Sequence, residues 1–196
     1  MPFGTKHIMK GANGARPAGT HQTFPRPSVT TVFVWEPVGG VGHASIAIGD
    51  QGRFNHHDWF DQTAGYASWF PGKSTANPAE SGADARGILP GRMYMKESCT
   101  FEADCDSEEG IPENAIQLPR LSIQHMMQLW TEIRDKPNAH YRLLRKNCST
   151  IVARILRAGM TTMSGWQQAK VQYSAHCLYW TPADVLKFAS ELAAVS

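Results

Sequence analysis

Two runs rich in β-branched and aromatic residues, "VTTVFVW" from Val29 and "GHASIAIGD" from Gly42, flank the Gly-rich stretch "EPVGGVG". Side chains branched at Cβ pack well on a pleated surface, and a glycine-containing connection of this length returns the chain on itself. The pattern predicts an antiparallel hairpin, and with it a sheet that every later element must pack against. Alternation within the second run sends His43, Ser45 and Ala47 to one face and Ala44, Ile46 and Ile48 to the other. "GYASWFPG" adds a third short strand, stopped by Pro71, and "NAIQLPRL" adds another extended segment.

Three later segments change period. Ser122 precedes "SIQHMMQLWTEIRD", in which Ile123, Met126, Met127, Trp130 and Ile133 recur at helical spacing, so this Met and Trp stripe is core. Asn147 is placed to cap a helix that begins at Cys148 and carries Ile151, Val152, Ile155 and Leu156 on one stripe, with Arg154 and Arg157 outward and Gly159 as its terminator. "TPADVLKFASEL" supplies a capping box from Thr181 to Asp184, with Pro182 in the first turn. The expected architecture is α+β: a small antiparallel sheet packed against about three helices, near 122–135, 148–158 and 181–193.

Residues 1–28, rich in Gly, Pro, Thr and Ala, bury too little apolar surface to offset their ordering entropy and read as a mobile tail. The remaining stretch, 29–196, is of a size for one domain, and its share of the chain's 42% hydrophobic content suffices for one core. Residues 72–113 are dense in Gly, Pro, Ser and acids and read mostly as loop shaping a cleft, with a strand near Met93 to Glu102. Within them "DCDSEEG" reads as a solvated acidic turn, because its glycine and its missing closing Glu do not fit a calcium loop.

A formal charge of +2 without a Lys/Arg stripe leaves no basis for a nucleic-acid surface. No apolar run is long enough for a membrane span, and "MPFGTKHIMKGANGARPAG" lacks the apolar stretch of a secretory signal, so a chain made in the cytoplasm is expected. The four cysteines, Cys99, Cys105, Cys148 and Cys177, match no paired zinc spacing, and no motif implies a cofactor. Cys99 and Cys105 flank "TFEAD" and would close a short loop in an oxidising compartment, but for a cytoplasmic chain two free thiols are the better expectation. Cys177 has His176 beside it but neither a cap nor a helical stripe, and reads as structural.

Cys148 is different. At the first position of a helix, unpaired backbone N–H groups carry partial positive charge and favour a thiolate. A thiol there is either a nucleophile or a small apolar residue in the core. What tips the balance is His43, since a cysteine nucleophile needs a base and a strand holds one rigidly. The small side chains of the His43 face suggest close approach of the Cys148 helix on that side.

"GHASIAIG", "YASWFPG" and "NCSTIVARIL" together resemble the circularly permuted papain-like (NlpC-type) superfamily, in which a strand His precedes a helix-start Cys. The order is similar to that of lecithin:retinol acyltransferase-like proteins, and "GHASI" with "SWFP" looks most like papain-like effectors of type VI secretion. The likeness spans about residues 30 to 193 in layout. It implies a permuted papain-like fold and a cysteine hydrolase or acyl transferase, with Cys148 as nucleophile and His43 as general base.

In that family a third polar group sits on the strand after the His strand, which points to Ser68 first or Tyr66. His56, His57, Asp58 and Asp61 in "FNHHDWFDQ" are the loop alternatives. The implied role is that of a secreted effector cutting peptidoglycan peptides as an amidase or endopeptidase. The alternatives are deamidation or acyl transfer on a target-cell protein or lipid, and a non-catalytic structural or adaptor module. Secretion machinery and a cognate immunity protein are the implied partners.

Overall fold

The computed structural model describes residues 29–37, 42–50, 65–70, 88–93, 100–136, 140–142, 145–171 and 177–195. The tail at 1–28, the loop holding His56, His57, Asp58 and Asp61, and Cys99 lie outside the described residues. The hairpin forms as the sequence predicts: β1 (Val29–Trp35) pairs antiparallel with β2 (His43–Asp50), placing Trp35 opposite His43 and Phe33 opposite Ser45. β3 (Gly65–Ala67) pairs with the free edge of β2, and β5 (Asn114–Leu118) with that of β1, giving the order β3-β2-β1-β5. A separate two-stranded sheet joins β4 (Ile88–Met93) to β6 (His140–Arg142).

Among the described residues there are five α-helices rather than three. The expected ones are α2 (Ile123–Arg134), α3 (Cys148–Gly159) and α5 (Pro182–Val195), and α1 (Phe101–Ser107) and α4 (Gly165–Val171) are additional. The caps act as expected. The Ser122 side chain accepts from His125 N, and Thr181 and Asp184 form a reciprocal box through Thr181 N to Asp184 Oδ2 (3.0 Å) and Asp184 N to Thr181 Oγ1 (3.2 Å). An analogous exchange between Ser164 and Gln167 opens α4.

Gly159 does not terminate α3 by turning left-handed. It is the last helical residue, followed by a single 3-10 turn at Met160–Thr162. Its value is proximity, because a Cβ there would stand 2.6 Å from Met126 Sδ and 3.0 Å from Leu121 Cβ. Close approach of α3 to α2 thus depends on the missing side chain.

The sheet separates two apolar clusters. Val32, Val34, Ala44, Ile46 and Ile48 face the large core, where Met126 and Trp130 of α2, Ile151, Val152, Ile155 and Leu156 of α3, and Val185, Phe188 and Leu192 of α5 are buried. Burying each such side chain contributes roughly 1.5–3 kcal/mol, so this face holds the domain together. Phe33, Trp35 and Ala47 lie on the other face, covered by Tyr66, Phe101 and Cys105. Helix α1 is therefore the lid on the His43 face. The helix of Cys148 packs on the opposite side from the one expected.

Helix α1 forms where an acidic turn was expected. Thr100 accepts from Ala103 N at its start, Glu102 and Asp104 suit the positive end of the helix, and Phe101 and Cys105 fall one turn apart on the inner side. Phe101 stands 4.9 Å from the Phe33 ring, and Trp35 Nε1 donates to Gly110 O at 2.8 Å, tying down the turn after the helix. No helix among the described residues is long and apolar enough to cross a membrane.

Candidate functional site

His43 opens β2 and is held from several directions. Gly42 before it has φ of 66°, and a Cβ there would meet Trp35 O at 2.6 Å, so only glycine lets the strand begin at this point. The imidazole is 2% exposed, stacks on Phe70 at a centroid distance of 4.1 Å with 20° between planes, and has the Trp35 ring 5.4 Å away. Its Nε2 lies 3.1 Å from Ser68 Oγ and 3.2 Å from Asp104 Oδ2. Ser68 thus reaches the imidazole, but a carboxylate shares the same nitrogen.

Asp104 is the group that sequence reasoning missed. It lies in "DCDSEEG", taken above for a solvated turn, yet its side chain is 0% exposed. Besides His43, its Oδ2 accepts from the Tyr66 hydroxyl at 2.5 Å, and its Oδ1 accepts from Ser68 Oγ at 2.9 Å. A buried carboxylate requires such partners, since an unpaired one costs several kcal/mol. The available signal was Thr100 as a cap, followed by Phe101 and Cys105 one turn apart. The density of acids obscured it.

Cys148 begins α3, with Asn147 as the cap: Asn147 Oδ1 accepts from Thr150 N and Thr150 Oγ1, both at 2.8 Å, while Asn147 Nδ2 donates to Trp180 O at 2.9 Å. β3 ends at Ala67, two residues short of the place opposite Ala44, and the edge of β2 there is open. The sulfur lies 3.8 Å from Ser149 Oγ, and the His43 imidazole and the Ala44 backbone N–H both act on it to favour the thiolate. With Nε2 turned to Ser68 and Asp104, Nδ1 is the nitrogen left for the thiol. α3 packs on the Ile46 face and meets His43 around the end of β3.

The electrostatics follow from this contact. Burial alone would push the Cys148 thiol up, but the charge of the His43 imidazolium, its hydrogen bond, the Ala44 N–H and the Ser149 hydroxyl outweigh burial and hold the thiol below its ordinary value. For His43, burial disfavours the cation. The Cys148 thiolate and the hydrogen bond to Asp104 more than reverse this, and the imidazole is pushed up to about 10. Each group thus favours the charged form of the other. Tyr66 is driven well above its usual range by burial and then by the neighbouring Asp104 charge, so it remains a neutral donor.

Cys105 and Cys177 are not joined in a disulfide. Burial and the charges of Asp104, Asp106 and Glu102 raise Cys105, and burial with the charge of Asp184 raises Cys177, so neither has the electropositive setting of Cys148. Among the described residues no His, Cys, Asp and Glu side chains group as metal ligands. The arrangement offers a thiolate at a helix N-terminus, a proton on an adjacent imidazole, and a carboxylate fixing that imidazole.

Comparisons with known proteins come from two directions. A stretch of 77 residues is 31% identical to part of the multifunctional-autoprocessing repeats-in-toxin of Vibrio vulnificus, and likewise to that of Vibrio cholerae serotype O1. The stretch covers 39% of this chain but only 1% and 2% of those toxins, so the chain spans a very small part of the curated relatives it matches. No solved structure matches. The family model described as the IcsB middle domain matches residues 91–196, a span that includes Asp104 and Cys148 and begins after His43. The chain is thus similar to bacterial toxins, and it belongs to the IcsB middle domain family.

Proposed function

We propose that residues 29–196 form a papain-like toxin domain that cleaves or transfers acyl groups through a Cys148 thioester. The single observation behind this reading is that His43, held at 3.2 Å by Asp104, and Cys148 shift each other, the thiol lowered and the imidazole raised. In this reading the Cys148 thiolate attacks a carbonyl carbon, forming the C–S bond while the carbonyl π pair moves to oxygen. N–H groups at the start of α3, that of Cys148 among them, stabilise the oxyanion. The His43 imidazolium gives its proton to the departing amine or alkoxide as the carbonyl re-forms.

The neutral imidazole then takes a proton from water, an amine or an alcohol as that acceptor attacks the thioester and the thiolate leaves. Asp104 holds the ring in one orientation and stabilises the imidazolium, with Ser68 bridging the two. Water as acceptor makes the domain an amidase or endopeptidase, and a peptidoglycan peptide is one substrate of that kind. An amine or alcohol as acceptor makes it an acyltransferase on a target-cell protein or lipid. Similarity to segments of two toxins favours the target-cell reading over the wall. Delivery into the target cell and an immunity protein in the producer belong to the same proposal.

The test is expression of the parent and of Cys148→Ala in recipient cells, directed to the cytoplasm or to the periplasm, with intact-mass analysis of the purified protein for an adduct on Cys148. Toxicity in the cytoplasm that disappears with Cys148→Ala supports the target-cell reading. Periplasmic toxicity with release of wall fragments returns the wall peptide to first place. Equal toxicity of parent and variant rules out thiol chemistry.

A further inference from the structure

We infer that Tyr66 is a positioning residue of the site: its hydroxyl, oriented by Ser45, locks the Asp104 carboxylate against His43. This rests on the reading of Cys148, His43 and Asp104 as the reacting group. The geometry is a hydrogen-bonded line across the buried face of the sheet. Ser45 Oγ and Tyr66 Oη are 2.6 Å apart, and Tyr66 Oη donates to Asp104 Oδ2 at 2.5 Å. Because the phenol proton is committed to Asp104, the Ser45 hydroxyl is the donor in the first bond. Donors aligned in series polarise one another, so the second bond is strengthened by the first.

The register explains why these residues meet. Ala47 stands opposite Tyr66, which places Tyr66 diagonally from Ser45, two residues along β2 from His43 and on the same face. Asp104 comes from α1, a seven-residue helix that packs on the sheet through Phe101 and Cys105. Its carboxylate therefore needs a strand-borne partner to fix its rotation, and Tyr66 is the strand residue that contacts the same oxygen as His43. Ser68 contacts the other oxygen, so the Tyr66 bond adds a second hold on the oxygen that faces His43.

The experiment follows the His43 imidazole nitrogens by NMR through a pH titration of the full chain, comparing the parent with Tyr66→Phe and Ser45→Ala, and measures iodoacetamide alkylation of Cys148 in each. Phenylalanine keeps the edge-on ring contact with Phe101, whose centroid is 6.4 Å away, so the packing is retained. With the lock gone, His43 titrates lower by about one unit or more in Tyr66→Phe, and by less in Ser45→Ala. If Tyr66→Phe does not fold, the Ser45→Ala shift decides alone. An unchanged His43 titration, with Cys148 still alkylated rapidly at neutral pH, overturns the role of Tyr66 and leaves the thiol reading standing. Slow alkylation in the parent itself instead removes the reading on which this one rests.

Discussion

His43 and Asp104, 61 residues apart in sequence, meet at 3.2 Å between Nε2 and Oδ2 in a part of the molecule closed to water. Asp104→Asn preserves the shape of this contact but removes the charge that favours the imidazolium. Turnover is expected to fall on the order of 10²-fold, the size of a general acid–base contribution, with far-ultraviolet circular dichroism unchanged. Activity within a factor of three of the parent contradicts the role given to Asp104.

The buried ion pair also sets how stability responds to pH. His43, raised from 6.5 to about 10, contributes stability that is complete below 6.5 and lost as pH rises through about 10. Cys148, lowered from 9.0, contributes stability that is complete above 9.0 and lost as pH falls through its depressed value. Between the depressed Cys148 value and 9.0 the two slopes cancel. The difference in urea midpoint between the parent and a Cys148→Ala/His43→Ala double variant is therefore level across that window and shrinks from pH 9 to 10. A decline that continues unbroken up to pH 9 goes against the paired state.

Asn147 combines a cap with a tether. Asn147→Ser keeps an oxygen for Thr150 N but cannot reach Trp180 O, whereas Asn147→Ala loses both bonds. Thermal unfolding is expected to place the alanine variant about 1 kcal/mol below the serine variant, the usual size of a cap. Equal stabilities mean that the bond to Trp180 O, and not the cap, is what Asn147 supplies.

Much of the sheet was legible because its residues obey one period. His43, Ser45 and Ala47 do alternate with Ala44, Ile46 and Ile48, and the caps at Ser122, Asn147 and Thr181 mark their helices within a residue. Cys148 and His43 stood out as a helix-start thiol and a strand imidazole, and they meet. The side of the sheet on which α3 packs was not legible. Small residues at Ser45 and Ala47 suggested the His43 face, but that face is taken by α1, and the apolar stripe of α3 matches Ile46 and Ile48 instead.

Asp104 was illegible for a related reason. A single buried acid among Glu102, Asp106, Ser107, Glu108 and Glu109 looks the same as its solvated companions until Phe101 and Cys105 are seen to dock. Local composition reports average solvation, whereas burial of one side chain is decided by a contact across the fold. Ser68 and Tyr66, chosen as the orienting groups from strand order, prove to be the hydroxyls that hold that acid.

The most direct test of the whole account is the rate of iodoacetamide alkylation of Cys148 as a function of pH, in the parent and in His43→Ala. The account predicts that the parent thiol's alkylation rises at a pH below the free value of about 8.5, and that His43→Ala slows the reaction at pH 6.5 and moves the rise back to about 8.5 or above. A parent profile that titrates near 8.5 and is unchanged by His43→Ala contradicts it.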